Sequence, residues 1–149
     1  MTANVWHTRS GEETEALGAR LLGVAPPPAT PCRVIELRGE LGAGKSTFTR
    51  GALRALGVAG HIKSPSYTLL EIYDPPGLRV VHLDLYRLND PDELEHLGLA
   101  DYHRPGYLWL IEWPERGAGR LPTPDSRFEF SIGSDHHRIE RIEILAPNK

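Results

Sequence analysis

A short stretch of the chain combines the residue types that bind nucleotide phosphates. Residues 39–46 read GELGAGKS, which satisfies the pattern G-x-x-x-x-G-K-[ST] through Gly39, Gly44, Lys45 and Ser46. Glycines let a loop curl so that successive backbone N–H groups point at phosphate oxygens, and a following helix adds the positive end of its dipole. We therefore interpret this stretch as a phosphate-binding loop and not as a flexible turn that happens to contain a lysine.

The side chains at the end of this loop have distinct expected tasks. Lys45 is predicted to bridge the β- and γ-phosphates, the Ser46 hydroxyl to ligate Mg²⁺, and Thr47 to hydrogen-bond the α-phosphate. The remaining loop residues are predicted to contact the nucleotide as a cradle: Gly39, Glu40, Leu41, Gly42, Ala43 and Gly44.

Two acidic residues stand where a phosphate site needs them. Asp84 ends the apolar run RVVHLD, and Glu112 ends the apolar run YLWLIE. Ligands of open α/β sheets bind at the carboxyl edge of the strands, so we expect both side chains near the loop. One such acid is often only a turn or cap residue, but two beside this loop favour a role in holding Mg²⁺ or orienting water.

Strand and helix patterns alternate along the chain and predict one α/β domain over residues 1–149. A capping-box pattern, Ser10 with Glu13, opens the first helix; a second helix spans 45–56, and a short third one begins at Asp90-Pro91. The last two predicted strands alternate in polarity and indicate an antiparallel hairpin. The predicted strands span residues 4–8, 33–39, 66–74, 78–86, 107–113, 127–133 and 138–145.

Composition excludes several classes of protein. The 149 residues carry a net charge of −3 and no basic run, so we do not expect the chain to hold nucleic acid by itself. Cys32 is the only cysteine, which excludes an intrachain disulfide and a multi-cysteine zinc site. We find no secretory signal and no apolar run long enough for a membrane span, and we expect a cytoplasmic protein.

Several blocks together are similar to the bacterial TsaE (YjeE) family, the small ATPases of tRNA threonylcarbamoyladenosine biosynthesis. The matching blocks, in the order and spacing of the family, are SGEETEALG (10–18), GELGAGKSTFTRG (39–51), IKSPSYTL (62–69), HLDLYRL (82–88), DELEHLGL (92–99), IEWPERG (111–117) and LP (121–122). The departures are mild: Ser46 and Ser66 stand where threonine is frequent in the family, and the chain after residue 122 matches only loosely.

The resemblance implies a P-loop NTPase-like fold, with a mixed, mostly parallel sheet flanked by helices and a C-terminal antiparallel hairpin. It also implies ATP or ADP with Mg²⁺ as cofactors and slow hydrolysis that rises with two partners, the TsaB and TsaD proteins. In the family, TsaD transfers the threonylcarbamoyl group to an adenosine next to the anticodon, and the ATPase is needed for multiple turnover. tRNA is then expected to be bound only through the complex.

The resemblance also implies roles for individual residues. Glu112 is assigned to Mg²⁺, and Asp84 to Mg²⁺ or to the attacking water. Thr68, in the segment SPSYTL, is the expected sensor of the γ-phosphate. Thr14 is expected to contact the nucleotide, and Arg138 matches a family arginine near the base.

Three further interpretations stay open. Trp113 packs either near the nucleotide or in the core. Alternation puts His82 on the face of Asp84, so it either orients that carboxylate or is a core histidine. Arg87 contacts a phosphate or a partner, or else pairs with a glutamate of the next helix, Glu93 or Glu95.

A small-molecule kinase is the main alternative function. It would use Asp84 as the base for an acceptor hydroxyl, but no Arg-rich lid segment stands out. A GTPase is disfavoured because no N-K-x-D signature is present in the interior, and a nucleotide-controlled scaffold is a third class. His136 and His137 are expected to be hairpin-turn residues and not ligands.

Overall fold

The computed structural model of the chain describes residues 4–27, 30–62 and 68–144. Its strands are β1 (Val5–Thr8), β2 (Arg33–Gly39), β3 (Leu70–Tyr73), β4 (Arg79–Asp84), β5 (Tyr107–Glu112), β6 (Ser126–Ile132) and β7 (His137–Glu143). Its helices are α1 (Gly11–Leu22) and α2 (Lys45–Leu56), and 3₁₀ turns lie at Pro91–Leu97, Leu99–Tyr102 and Pro114–Gly117.

The strands form one mixed sheet in the order β1-β7-β6-β2-β5-β4-β3. The four neighbours β6, β2, β5 and β4 run parallel, while β1, β3 and β7 pair antiparallel with their neighbours. The predicted α/β class and the C-terminal hairpin are therefore confirmed. Because β2, β4, β5 and β6 point the same way, their carboxyl ends meet at one edge of the sheet, where ligands of such sheets bind.

The predicted strands around the acids are longer than the observed ones. β4 ends at Asp84, and not at residue 86, because the Asp84 Oδ1 atom accepts the Tyr86 N–H at 3.1 Å and turns the chain. β3 begins at Leu70, and residues 66–67 of that predicted strand lie outside the described residues.

Both helices that flank the site begin as the sequence predicts. At α1, the Ser10 Oγ atom accepts the Glu13 N–H at 3.1 Å, and the Glu13 carboxylate accepts the Arg9 N–H at 2.8 Å. At α2, the helix starts at Lys45 directly after the glycine loop and ends before Gly57. The predicted third helix is a 3₁₀ turn, which begins with the Asp90–Glu93 capping box.

The two α-helices pack against each other at very short distance on one face of the sheet. A Cβ atom on Gly18 of α1 would lie 2.0 Å from the Phe48 carbonyl oxygen of α2, so only glycine allows this approach. The contact holds the start of α1 beside the glycine loop. Under the helices lies a core that includes Ile35, Leu37, Phe48, Leu53, Leu110, Phe128 and Ile139.

The opposite face of β4 and β5 is also covered, by the 3₁₀ turns after Pro91. All six residues of β5 are buried, which explains its continuous apolar run. Of the helices that the structure describes, none combines the length and the apolar character needed to cross a membrane.

Candidate functional site

A cavity of about 630 Å³ opens at the carboxyl edge of the parallel strands. The glycine loop and the first turn of α2 form its floor, and the ends of β4 and β5 form one side. The predicted site residues that line it are Thr14, Leu41, Gly42, Gly44, Lys45, Ser46, Thr47, Asp84, Glu112 and Trp113. The structure therefore brings together residues from α1, the loop and two strands.

Other predicted site residues lie outside the lining. The carbonyl oxygens of Gly39 and Glu40 accept from Lys45 Nζ, and Ala43 is buried in the core under the loop. Thr68 is exposed, and its hydroxyl donates to the Leu70 carbonyl at 3.3 Å. Residues 64–67 of the predicted sensor segment lie outside the described residues.

Arg138 also lies away from the cavity lining. It is a residue of β7, and its Nη1 atom donates to the Glu140 Oε1 atom at 3.2 Å along the same strand. Its predicted contact with a nucleotide base stays a prediction.

The backbone of the loop has the conformation that a phosphate cradle needs. Gly42 and Gly44 have φ angles of 84° and 107°, in the left-handed region that side chains disfavour. A Cβ atom on Gly44 would meet the Thr14 Cγ2 atom at 3.3 Å and the His137 Nδ1 atom at 3.4 Å. Glycine at this position keeps the cavity wide between the loop, α1 and β7.

The Lys45 ammonium group sits at the base of the loop. Only 4% of the residue is exposed, and Nζ donates to the Gly39 and Glu40 carbonyls, the second at 3.0 Å. Nζ also lies 4.5 Å from the centroid of the Trp113 ring. Burial lowers the pKa of Lys45 below its ordinary value, and the nearby Glu112 and Asp84 carboxylates oppose that shift. A buried cation in this position favours an anionic ligand.

The Glu112 carboxylate is the most buried acid at the site, with 2% of the residue exposed. Its Oε1 atom accepts from the Ser46 hydroxyl at 3.0 Å, and its Oε2 atom lies 2.7 Å from His82 Nε2. The predicted metal ligands Ser46 and Glu112, which are 66 positions apart in the chain, are therefore in direct contact. A hydroxyl and a carboxylate are the hard oxygen ligands that Mg²⁺ takes in proteins.

Asp84 stands directly beside Glu112, because the two are register partners across β4 and β5. Burial raises the pKa of Asp84 above its ordinary value, and the Glu112 charge adds to the rise. The Tyr86 N–H and the Lys45 charge act in the opposite direction. A divalent cation would relieve the repulsion between the two carboxylates, so the residues present fit Mg²⁺.

The residues described do not supply a complete metal site of their own. Across residues 4–27, 30–62 and 68–144, no group of three or more His, Cys, Asp and Glu side chains is arranged to hold a metal ion. Mg²⁺ in phosphate sites takes one or two carboxylates and completes its shell with phosphates and water.

The raised pKa of Asp84 predicts how stability depends on pH. The folded chain keeps a proton on Asp84 at pH values where the unfolded chain, with an ordinary pKa of 3.8, has lost it. This contribution to stability therefore falls as pH rises from about 4 through the folded-state pKa. Asp84→Asn never ionises, and its melting temperature without metal should exceed that of the wild type by a margin that grows as pH rises from about 4 and becomes constant above the folded-state pKa.

Thermal denaturation in a chelator at several pH values tests this expectation. Asp74→Asn is the matched control, because Asp74 is exposed and pairs with Arg79 at the other edge of the sheet. A margin for Asp84→Asn that does not change with pH, or a lower melting temperature at pH 8, would contradict the expectation.

Comparison with known proteins agrees with this geometry. The family model described as "Threonylcarbamoyl adenosine biosynthesis protein TsaE" matches residues 8–142. The chain belongs to the TsaE family. The family resemblance predicted from the sequence blocks is thereby confirmed, and with it a place in tRNA threonylcarbamoyladenosine biosynthesis.

Individual relatives cover most of this TsaE family member. A protein of Haemophilus influenzae, named tRNA threonylcarbamoyladenosine biosynthesis protein TsaE, is 47% identical over 109 residues, which are 73% of this chain and 69% of that protein. A Bacillus subtilis protein of the same name is 38% identical over 133 residues, 89% and 80% of the two chains. The crystal structure of Bacillus subtilis YdiB superimposes with a TM-score of 0.73 at 30% identity, over 97% of this chain and 87% of the other.

In this TsaE family member, Trp113 lies between the cavity and the core, so its packing in the core is confirmed and its place near a nucleotide stays a prediction. It lines the cavity below the Lys45 ammonium group, and it also packs against the core cluster beneath β4 and β5. Its φ of 58° is in the left-handed region, which costs a residue other than glycine about 1–3 kcal/mol. Its ring packs edge-on against Tyr86 at 4.9 Å between centroids.

The structure also shows a cavity wall that the sequence did not predict. His136 lies in the turn between β6 and β7, as expected, whereas His137, also expected in the turn, is the first residue of β7; both histidines line the cavity opposite the loop. The His136 ring packs against His7 with 4.9 Å between centroids. The signal that would have found this wall is the parallel pairing of β6 with β2, which brings the turn to the loop's edge of the sheet.

Arg87 lines the cavity as well. Of its two predicted glutamate partners, Glu93 accepts the N–H groups of Asn89 and Asp90, and Glu95 forms an ion pair with Arg120. Because Arg87 lines the cavity, its contact with a phosphate stays a prediction.

Proposed function

We propose that this chain is the Mg²⁺-dependent ATPase of tRNA threonylcarbamoyladenosine biosynthesis and acts with the TsaB and TsaD proteins. The observation that carries the proposal is the 3.0 Å contact between Ser46 and Glu112 directly after the glycine loop. That contact supports a metal–phosphate site at the position where P-loop proteins hold Mg²⁺. Membership of the TsaE family supports the pathway.

Different residues of the chain bind the phosphates and the metal ion of Mg²⁺–ATP. The backbone N–H groups of the glycine loop and the Lys45 ammonium group bind the phosphates, and the Thr47 hydroxyl binds the α-phosphate. Ser46 and Glu112 would hold Mg²⁺, with Asp84 beside them. When bound, Mg²⁺ neutralises charge on the β- and γ-phosphate oxygens.

Asp84 is suited to orient the attacking water. Its Oδ1 atom accepts the Tyr86 N–H, which leaves Oδ2 as the oxygen that accepts from a water in the cavity. Its raised pKa brings the carboxylate closer to the range in which a base takes a proton at neutral pH. The Lys45 charge nearby favours the ionised form of the carboxylate and so acts against the rise of its pKa.

The mouth of the cavity supports a requirement for partners. Leu41, Tyr86 and Ile132 line the cavity and are 66%, 36% and 47% exposed. Apolar side chains exposed around a reactive cleft favour covering by another protein. A cleft without such a cover binds ATP but lacks positioning groups on the γ-phosphate side, so hydrolysis by the chain alone is slow. With a net charge of −3, the chain meets tRNA only through the complex.

A P-loop small-molecule kinase is the second candidate. The observation that favours it is the position of Asp84, a buried carboxylate with a raised pKa that faces a cavity of about 630 Å³. In a kinase, this carboxylate would take the proton of an acceptor hydroxyl instead of orienting water.

The fate of the γ-phosphate separates the two candidates. ATP labelled at the γ-phosphate is incubated with the chain, Mg²⁺ and a panel of small hydroxyl compounds, and the products are separated. We expect inorganic phosphate in every sample, formed at the same slow rate with and without acceptors. Lys45→Ala measures any contaminating ATPase. A phosphorylated acceptor that accounts for the consumed ATP would replace the proposed function with a kinase.

A further inference from the structure

We propose that His82 is a positioning residue, which holds the Glu112 carboxylate in the orientation that binds Mg²⁺. The inference rests on the proposed function, because it takes Glu112 as the ligand of a Mg²⁺–nucleotide complex. His82 lies on β4, and Glu112 ends the neighbouring strand β5.

The contact between the two side chains is short and buried. His82 Nε2 lies 2.7 Å from Glu112 Oε2, and the two side chains are 4% and 2% exposed. Because Glu112 accepts the Ser46 hydroxyl on Oε1 and a carboxylate only accepts, the hydrogen of this bond is on Nε2 of His82. One oxygen of Glu112 is therefore held by the histidine, and the other faces Ser46.

The ring of His82 makes its hydrogen bond to Glu112 through Nε2, and its second ring nitrogen, Nδ1, makes none within the described residues. Among the described residues, His82 Nδ1 is buried and has no hydrogen-bond partner. A buried unpaired nitrogen is unfavourable, and an apolar side chain would fill the same space without it. The ring's hydrogen bond to Glu112 is what distinguishes histidine from an apolar residue at this position.

Asp84, two positions along the same strand, is not the group that His82 orients. Asp84 accepts the Tyr86 N–H on Oδ1, whereas the donor of His82 is directed across the sheet to β5. The strand order, with β4 beside β5, decides the partner. Replacing a side chain that orients a metal ligand in this way typically changes metal affinity about 10–100-fold.

Two substitutions test the inference, because glutamine and asparagine carry the same amide group on side chains of different length. The amide nitrogen of His82→Gln extends about as far as Nε2 and can donate to Glu112, whereas that of His82→Asn extends only about as far as Nδ1. ADP binding is measured by calorimetry at a series of Mg²⁺ concentrations and in a chelator. Mg²⁺ is expected to increase the affinity for ADP, and we call this increase the metal effect. For His82→Asn we expect the Mg²⁺ concentration that gives half of the metal effect to rise about 10–100-fold, while the affinity for ADP without metal stays unchanged. For His82→Gln we expect most of the metal effect to return.

Leu110→Val controls for damage to local packing. Leu110 is the register partner of His82 on β5 and is fully buried, but it makes no polar contact with Glu112. The Mg²⁺ dependence of ADP binding by Leu110→Val should be the same as that of the wild type.

Three results would overturn the inference. The first is that the wild type shows a Mg²⁺ dependence of ADP binding and His82→Asn shows the same one. That result would leave the proposed function intact. The second is an equal loss in His82→Asn, His82→Gln and Leu110→Val that extends to metal-free binding, which would show a structural role only. A wild type that binds ADP equally with and without Mg²⁺ would overturn the proposed function together with the inference.

Discussion

Replacement of Lys45 by alanine should abolish ATP hydrolysis and weaken nucleotide binding by about 1.5–3 kcal/mol, the range for a charged hydrogen bond. The Lys45 ammonium group stands between the loop carbonyls and the Trp113 ring, at the base of the loop that is predicted to bind the phosphates. No loop N–H group can replace its charge in the transition state. Calorimetric titration with ATP and an assay of phosphate release measure the two effects.

The control for this variant must separate binding from folding, because Lys45 is almost fully buried. Lys45→Met keeps the length of the apolar stem and removes the charge alone. We expect it to match Lys45→Ala in activity and to melt close to the wild type. Unchanged ATP binding in a folded Lys45 variant would show that the phosphates lie elsewhere.

Replacement of Glu112 by alanine should remove most of the strengthening of nucleotide binding by Mg²⁺. The loss should exceed the roughly 10–100-fold effect of a positioning residue, because Glu112 is the proposed ligand itself. Metal-free binding should change little, since the loop and Lys45 remain. ADP titrations with and without Mg²⁺ measure the difference.

Glu115→Gln is the matched control for the change in charge. Glu115 is exposed, lies three positions along the chain, and also acts on the charge of Lys45. It should keep the full Mg²⁺ effect. If Glu112→Ala keeps that effect as well, Glu112 does not hold the metal.

The parts of the site that were predicted correctly depend on local sequence or on a general rule of sheet geometry. The loop and the start of α2 follow from the spacing of Gly44, Lys45 and Ser46 after a β-branched strand. Glu112 was expected near the loop, although it is 66 positions from Ser46, because the carboxyl ends of parallel strands meet at one edge; its direct contact with Ser46 is a finding of the structure.

The parts that were missed depend on the pairing of strands distant in sequence. Alternation placed His82 on the correct face of β4, but its partner Glu112 follows from the order of the strands, which alternation does not encode. The wall formed by His136 and His137 depends on the parallel register of β6 with β2. A hairpin pattern predicts that two strands pair with each other, and not which third strand they join.

The most direct test of the proposed function is the rate of phosphate release from Mg²⁺–ATP by the chain alone and by the chain with TsaB and TsaD together. The exposed apolar rim of Leu41, Tyr86 and Ile132 and the position of Asp84 beside the cavity lead us to predict a slow rate alone and a rise of at least about tenfold with both partners. Lys45→Ala should show no rise. The same rate with and without the partners would contradict a partner-dependent ATPase.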